Sequence, residues 1–242
     1  MNFDDVKALT FDTGGTILDW RTGFIGALKN AGERHGIDRD WNALAKEIRI
    51  ESLDRVRGQG RTSPPKYNMD EAHREVLDDV LQNHALEAFT ESDRHNIAYV
   101  APHNFSCWAD FPGVLPKLRS RYICVSFTIL SYRLIIDTAR KNGFQWDAVF
   151  SCEGIGKYKG LPESYLTVAS QLQLDPEQCC MVACHNNDLD AAKSQGFRTI
   201  YVRRPMEYGD NAATTDNSEP HADHDLVVDD FPELAKALNI VI

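Results

Sequence analysis

The sequence is short of positive charge for its length. Its 242 residues include 26 lysines and arginines against 36 aspartates and glutamates, which gives a formal net charge of -10. A protein with a net negative charge repels the phosphates of nucleic acids and the headgroups of anionic membranes. We therefore expect no nucleic acid and no membrane among its partners. A small anionic substrate is compatible with this charge, because a single pocket can be positive inside an acidic protein.

Metal-binding cysteine spacing and long apolar runs are also missing. No CxxC pair occurs among the six cysteines, so the spacing typical of zinc sites and thioredoxin-like motifs is absent. Cys124, Cys152 and Cys180 stand in apolar runs, and buried thiols of this kind indicate a reducing compartment. The first residues, MNFDDVKALTF, are acidic where a signal peptide is basic, and their apolar run cannot span a bilayer. We expect a cytoplasmic protein.

Short apolar runs recur along most of the chain, and helix-like segments separate the later ones. Strands that alternate with helices predict βαβ units and a parallel sheet covered on both faces. The predicted strands are 6–11, 122–127, 148–152, 180–184, 199–204 and 225–230.

Between residue 20 and about residue 105 no strand-like run occurs, and three or four amphipathic helical segments take its place. This pattern predicts an α/β protein, with a Rossmann-like doubly wound parallel core and a helical cap inserted after the first strand. The core is predicted at 1–17 and 106–242, and the cap at 18–105. Two polar stretches, 58–68 and 206–224, are predicted to be loops. The basic pair after the fifth strand, Arg203 and Arg204, is predicted to be solvated.

Chemically active side chains follow the predicted strands at the points where the strands end. Asp12 follows the first strand, Ser126 ends the second, Lys159 follows the third, and His185 and Asp188 follow the fourth. Ligands of open parallel sheets bind outside the carboxyl ends of the strands. We therefore expect these side chains to converge on one site.

Asp12 is the residue around which this site is built. An aspartate before two glycines could simply form a turn, but three further polar groups at neighbouring strand ends favour a covalent nucleophile. An unperturbed aspartate has a pKa of about 3.9 and is ionised at neutral pH, as a nucleophile requires. Gly14 and Gly15 would let the backbone turn sharply and bring its N–H groups close to the substrate.

The order Asp, Ser or Thr, Lys and Asp resembles the haloacid dehalogenase superfamily over the whole chain. Within it, FDTGGTILDWR (11–21), YKGLPESY (158–165) and ACHNNDLDAAKSQGFRTIYVRRP (183–205) are similar to motifs of the 2-haloacid dehalogenase branch. The resemblance implies a hydrolase in which the aspartate displaces halide from C2 of the substrate, and water then cleaves the aspartyl ester. It implies no cofactor, a small anionic organic substrate and, as in many relatives of that branch, a homodimer.

The resemblance also implies roles for the other strand-end residues. Thr16 would orient the nucleophile, although a turn-capping role fits it equally well. Ser126 would bind the carboxylate or phosphate of the substrate, and Lys159 would be the charge partner of the nucleophile. Asp188 would orient Lys159 or the hydrolytic water, and His185 could activate that water.

The remaining pocket positions are predicted from the same resemblance, and several depart from it. Thr13, Gly14 and Gly15 would surround the substrate. Lys46 falls where a substrate-binding arginine is usual, and Phe127 stands in place of an asparagine as an aromatic wall.

Two alternatives stay open because of these departures. The first is a Mg²⁺-dependent phosphatase of the same superfamily, with Asp12 and Asp188 as metal ligands. It is weakened by Gly14, which stands where such phosphatases carry the acid that protonates the leaving group. The second is a diverged member with an altered substrate or a binding role, since Gly14, Lys46 and Phe127 each change the pocket.

Overall fold

The sheet has six parallel strands in the order β3-β2-β1-β4-β5-β6 in a computed structural model that describes residues 3–60, 67–209 and 219–241. This confirms the α/β class and the Rossmann-like parallel sheet. The strands are β1 Ala8–Phe11, β2 Ile123–Thr128, β3 Ala148–Ser151, β4 Cys179–Ala183, β5 Arg198–Val202 and β6 Leu226–Val228.

The first strand is the centre of the sheet and sets the position of Asp12. All four residues of β1 are buried, and the strand pairs with β2 on one side and β4 on the other. Phe11 lies opposite Ser126 and Val182 in these two pairings. Asp12 therefore leaves the sheet at its carboxyl edge, between the ends of two neighbouring strands.

Helices occupy the interval between β1 and β2, which confirms the helical insertion after the first strand. The limits of the core and cap domains stay predictions. The helices of this interval are α1 Trp20–His35, α2 Trp41–Gly60, α3 Met69–Asn83, α4 Glu91–His95 and α5 Leu115–Arg119. The later helices are α6 Tyr132–Asn142, α7 Cys152–Ile155, α8 Pro162–Gln171, α9 Asn186–Lys193 and α10 Phe231–Ala237.

Local sequence explains where α1 begins and ends. Asp19 caps the first turn by accepting a hydrogen bond from the Thr22 amide at 3.0 Å. Gly36 ends the helix in a left-handed conformation, with a φ of 65°. None of the helices in the described ranges is both long and apolar enough to cross a bilayer.

The structure corrects several predicted boundaries. The second strand continues to Thr128, two residues beyond Ser126. Residues 58–60 belong to α2 and are not a loop, whereas residues 61–66 of that predicted loop lie outside the described residues. Part of the predicted surface loop, residues 210–218, also lies outside them. Glu207, at its beginning, is only 3% exposed.

Five aromatic rings form one packed cluster beneath β1. Phe111 is at its centre, because its ring lies within 4.8–5.9 Å of four other rings, measured between centroids. Its neighbours are Phe11, Phe144, Trp146 and Phe231. Through Phe11 the cluster packs against the last residue of β1, directly before Asp12.

We expect Phe111→Ala to lower the free energy of unfolding by about 3–5 kcal/mol, because it removes a fully buried ring from the middle of the cluster. Urea unfolding measures this loss. As a control, Ile136→Ala removes an apolar side chain that is 41% exposed, and should change the same quantity by less than about 0.5 kcal/mol. Equal losses in the two variants would contradict the central place of Phe111.

Candidate active site

A cavity of about 800 Å³ opens at the carboxyl edge of the sheet, beside the end of β1. Residues from the loop after β1, from the end of β2, from helices α2, α8 and α9 and from the loops after β3, β4 and β5 line it. Prominent among them are Asp12, Gly14, Arg49, Thr128, Lys159 and His185.

Asp12 lies at the cavity as a nearly buried carboxylate with three donors. Its Oδ1 accepts a hydrogen bond from Lys159 Nζ at 2.9 Å. Its Oδ2 accepts one from Thr16 Oγ1 at 2.7 Å and lies 3.1 Å from His185 Nδ1. Burial alone would raise the pKa of Asp12, but the charge of Lys159 and the contact with His185 outweigh it and hold that pKa far below its usual range. Asp12 is therefore ionised.

Lys159 is held between two carboxylates. Its Nζ donates to Asp188 Oδ2 at 2.6 Å as well as to Asp12. Burial opposes the charge of Lys159, but the two acids together raise its pKa, so it is an ammonium. Asp188 Oδ1 accepts a hydrogen bond from Tyr165 OH at 2.7 Å, and burial, against the pull of Lys159, raises the pKa of Asp188.

His185 stands on the other side of Asp12 with an acid of its own. Its Nε2 lies 3.1 and 3.2 Å from the two carboxylate oxygens of Glu207. Glu207 also accepts a hydrogen bond from Trp20 Nε1 at 3.0 Å. Burial disfavours the imidazolium, but Cys184, Glu207 and the bond to Asp12 raise the pKa of His185 well above its usual range. Burial likewise opposes the charge of Glu207, and His185 lowers the pKa of that carboxyl.

Two cations of α2 line this cavity, the buried Arg49 and the exposed Arg57, and Lys46 does not line it. Arg49 is 5% exposed, donates from Nη2 to the Gly14 carbonyl oxygen at 3.0 Å, and lies over the Trp20 ring. Arg49 lies three residues, about one helical turn, after the predicted position, because sequence similarity in a helix without a motif does not fix its register. The periodicity of α2 offered a signal, since Arg49 lies four residues after the buried Ala45 and therefore on the same face of the helix.

The hydroxyl that reaches the cavity from β2 is Thr128 rather than Ser126. The two residues lie on the same face of the strand, because side chains alternate, and Thr128 is nearer the edge. Ser126 is fully buried, and its Oγ has no hydrogen-bond partner among the described residues. Thr13 does not line the cavity either, and its Oγ1 donates to Thr128 Oγ1 at 2.7 Å.

Gly15 and Phe127 differ from expectation because they do not line the cavity, whereas Gly14 does. Gly15 N donates to Leu18 O at 3.1 Å, so this N–H is satisfied within the loop. Gly15 has a φ of 95°, and a Cβ there would lie 2.0 Å from Glu207 Oε1. Its absent side chain therefore makes room for Glu207. Phe127 is not a wall of the cavity, because it packs beneath Lys159, whose Nζ lies 5.0 Å from the ring centroid.

Arg204 anchors the segment that carries Glu207, and it is not a solvated strand end. Its guanidinium binds Asp110 at 2.9 and 3.1 Å, and its Nε donates to Thr16 O at 2.9 Å. Glu207 itself was missed because the polar composition after β5 resembles that of an ordinary surface loop. Tyr165 ends the YKGLPESY segment, and nothing in that segment indicates its contact with Asp188.

The carboxylates predicted as alternative Mg²⁺ ligands do not offer that ion a fitting set of donors. Mg²⁺ demands oxygen ligands at about 2.0–2.1 Å in near-octahedral geometry. The Lys159 ammonium lies between Asp12 and Asp188, and the carbonyl oxygen of Gly14 accepts a hydrogen bond from Arg49. Cations of the protein itself thus supply the counter-charge here.

Comparison with known families identifies the class of this protein. A family model described as haloacid dehalogenase-like hydrolase matches residues 6–196, and one described as HAD-hydrolase-like matches residues 159–234. The chain belongs to the haloacid dehalogenase-like hydrolase family. The predicted superfamily and the hydrolase class are confirmed.

Solved structures narrow the likeness to one branch of the family. The defluorinating L-2-haloacid dehalogenase Rha0230 has 31% identity, a TM-score of 0.88 and coverage of 97% of this chain and 95% of that one. The L-2-haloacid dehalogenase PA0810 has 28% identity, a TM-score of 0.87 and coverage of 97% and 99%. The chain is thus closely similar in structure to L-2-haloacid dehalogenases.

Curated relatives include both dehalogenases and phosphatases. The (S)-2-haloacid dehalogenase 4A of Burkholderia cepacia is 26% identical over 214 residues, which cover 85% of this chain and 87% of that protein. The phosphoglycolate phosphatase of Salmonella typhi is 33% identical over 95 residues. That match spans 39% of this chain and about a third (35%) of the phosphatase.

We expect Gly15→Ala to lower the free energy of unfolding by about 3 kcal/mol or more, because the new methyl group displaces the buried Glu207 from His185. Gly36→Ala is the matched control. Its φ is also positive, at 65°, but no atom lies within 4 Å of its added Cβ, so it should cost only about 1–2 kcal/mol. Urea unfolding compares the two variants, and equal losses would contradict the tight fit of Glu207 over Gly15.

Proposed function

We propose that this hydrolase replaces the halogen of a 2-haloacid with a hydroxyl group through a covalent ester of Asp12. The observation that carries the proposal is the ionised Asp12 carboxylate at the cavity, with Lys159 on one oxygen and a separate buried arginine, Arg49, facing the same space. The similarity to L-2-haloacid dehalogenases over nearly the whole chain supports it.

The cavity offers a positive place for the carboxylate of such a substrate. Arg49 presents a guanidinium fork, which suits a planar carboxylate, and its contact with Gly14 O fixes the orientation of the fork. Thr128 adds a hydroxyl at the end of β2. Binding of the carboxylate would set C2 above Asp12. Holding the two reacting atoms in this orientation increases the rate of the displacement step.

Asp12 Oδ1 is the attacking oxygen in this proposal. One donor, Lys159, contacts Oδ1, whereas both Thr16 and His185 contact Oδ2. Oδ1 therefore keeps an electron pair for C2. The new Oδ1–C2 bond forms as the C2–halogen bond breaks, and the halide leaves with the bonding pair.

Water then cleaves the ester at the aspartyl carbonyl carbon. Asp188 takes a proton from this water, since it lines the cavity and burial raises its pKa. The Cγ–Oδ1 bond breaks, so the hydroxyl oxygen of the product is the former Oδ1 of Asp12. One water proton ends on that hydroxyl, and the other leaves when Asp12 ionises again.

Location and assembly are secondary parts of the proposal. All six cysteines are free thiols and five of them are buried, which fits a reducing compartment such as the cytoplasm. Homodimerisation stays a prediction, and light scattering after gel filtration tests it.

We expect purified protein to release halide from at least one 2-haloacid, and Asp12→Ala to abolish that release because no nucleophile remains. Ion chromatography measures the halide, and far-UV circular dichroism verifies that the variant is folded. EDTA should leave the rate unchanged, since no metal takes part. A protein that releases no halide from a panel of 2-haloacids, but releases phosphate from phosphoesters with Mg²⁺, would show the phosphatase alternative to be correct.

We expect Arg49→Ala to raise KM by about 10- to 100-fold, because it removes a charge-assisted hydrogen bond to the substrate. Lys46→Ala, on the same helix, should change KM by less than about twofold, since Lys46 does not line the cavity. Steady-state halide release measures both values. A large rise in KM for Lys46→Ala with little change for Arg49→Ala would instead support the original prediction that Lys46 binds the substrate.

A further inference from the structure

We propose that Glu207 is a positioning residue that keeps His185 protonated throughout turnover, so that His185 stabilises the oxyanion formed on Asp12 Oδ2 when water attacks the ester. This inference rests on the proposed function. It gives His185 a role other than the one expected from the sequence, which was to activate the water. His185 donates a hydrogen bond, and it does not activate the water.

The geometry places two donors at the oxygen where negative charge develops. If Oδ1 forms the ester, Oδ2 becomes its carbonyl oxygen. Thr16 Oγ1 lies 2.7 Å and His185 Nδ1 lies 3.1 Å from Oδ2. Donors at this distance from a developing oxyanion are the arrangement that lowers the barrier of acyl transfer.

His185 has no nitrogen left to act as a base while Glu207 faces it. Nδ1 faces Asp12 and Nε2 faces both oxygens of Glu207. An imidazole placed between two carboxylates donates from both nitrogens, as the imidazolium does. In the resting enzyme both acids stabilise that charge.

Ester formation changes this balance, and it explains why a second acid is needed. Once Asp12 is alkylated it carries no charge, so Glu207 is the remaining carboxylate in contact with His185. The other titratable contact of the ring is Cys184, whose Sγ lies 3.4 Å from Nε2. Burial raises the pKa of this thiol, so it contacts His185 as a hydrogen-bond partner and not as a second carboxylate. Lys159 approaches Asp12 from the Oδ1 side. Without Glu207, a buried imidazolium would lack an acid partner and lose its proton.

Glu207 is fixed in place from several directions. Trp20 Nε1 donates to its Oε1 at 3.0 Å, and Gly15 leaves the space that the carboxylate fills. Arg49 lies over the Trp20 ring and adds positive charge that helps to keep Glu207 ionised. The Glu207 carboxylate is therefore held against His185 when Asp12 loses its charge.

A test without substrate uses Asp12→Asn, which imitates the uncharged ester. Nitrogen-15 NMR of labelled histidine reports the protonation of His185. We expect His185 to stay protonated at pH 7 in Asp12→Asn and to become neutral in the double variant with Glu207→Gln. A neutral His185 in Asp12→Asn alone would overturn the proposal, whatever the substrate of the enzyme is.

The kinetic test separates the two chemical steps. In Glu207→Gln the first equivalent of halide should still appear in a burst, while the Asp12 ester accumulates and is detected by mass spectrometry after acid quench. We expect ester hydrolysis to slow by about 10²–10³-fold, the usual effect of losing an oxyanion donor. A burst without accumulated ester would overturn the proposal. Absence of halide and ester in the unmodified protein would instead refute the proposed function.

The direction of the pH profile separates a donor from a base. In Glu207→Gln, ester hydrolysis should become slower as pH rises through the lowered pKa of His185, because a neutral imidazole keeps one N–H but no longer gives the oxyanion a charge-assisted hydrogen bond. A general base would give the opposite slope. Glu207→Asp keeps the charge and should restore part of the rate. Asp93→Asn is the matched control, because it breaks another buried carboxylate–histidine contact, 2.8 Å from His35, away from the cavity.

Discussion

The ionised carboxylate of Asp12 is the constraint on which the site depends. The position after β1 buries this acid between two strands, and burial by itself would protonate it. Two cations prevent this, one at each oxygen. Lys159 is balanced by Asp188 and His185 by Glu207, so each cation has a second acid of its own. Asp12 is kept charged without leaving the site strongly positive.

The same constraint extends outward into the fold. Each of the second acids needs a donor, and Tyr165 and Trp20 supply them from α8 and from the first residue of α1. Breaking one partner of a buried ion pair usually costs about 3–5 kcal/mol, because it leaves an unpaired charge. Arg49, the cation proposed to bind the substrate, comes from the helical insertion, so core and insertion must both be in place for the cavity to be complete.

The sequence alone was enough to predict that the residues located at the ends of strands converge on one site. Asp12, Thr16, Lys159, His185 and Asp188 do lie together, because parallel strands bring their carboxyl ends to one edge. Their chemical roles stay proposals.

The errors come from features that local sequence does not determine. Ser126 and Thr128 share one face of β2, and only the end of the strand decides which of them reaches the cavity. Lys46 and Arg49 differ by one turn of a helix. Glu207 is buried only by long-range contacts, so no window of sequence around it could reveal this.

A single turnover in water labelled with oxygen-18 tests the central claim most directly. If Asp12 forms an ester that water cleaves at the aspartyl carbonyl, the label enters Asp12 and the first product carries unlabelled oxygen. Mass spectrometry of the product and of the peptide that contains Asp12 measures both. Label in the first product, with none in Asp12, would mean direct attack of water on the substrate and would contradict the nucleophilic role of Asp12.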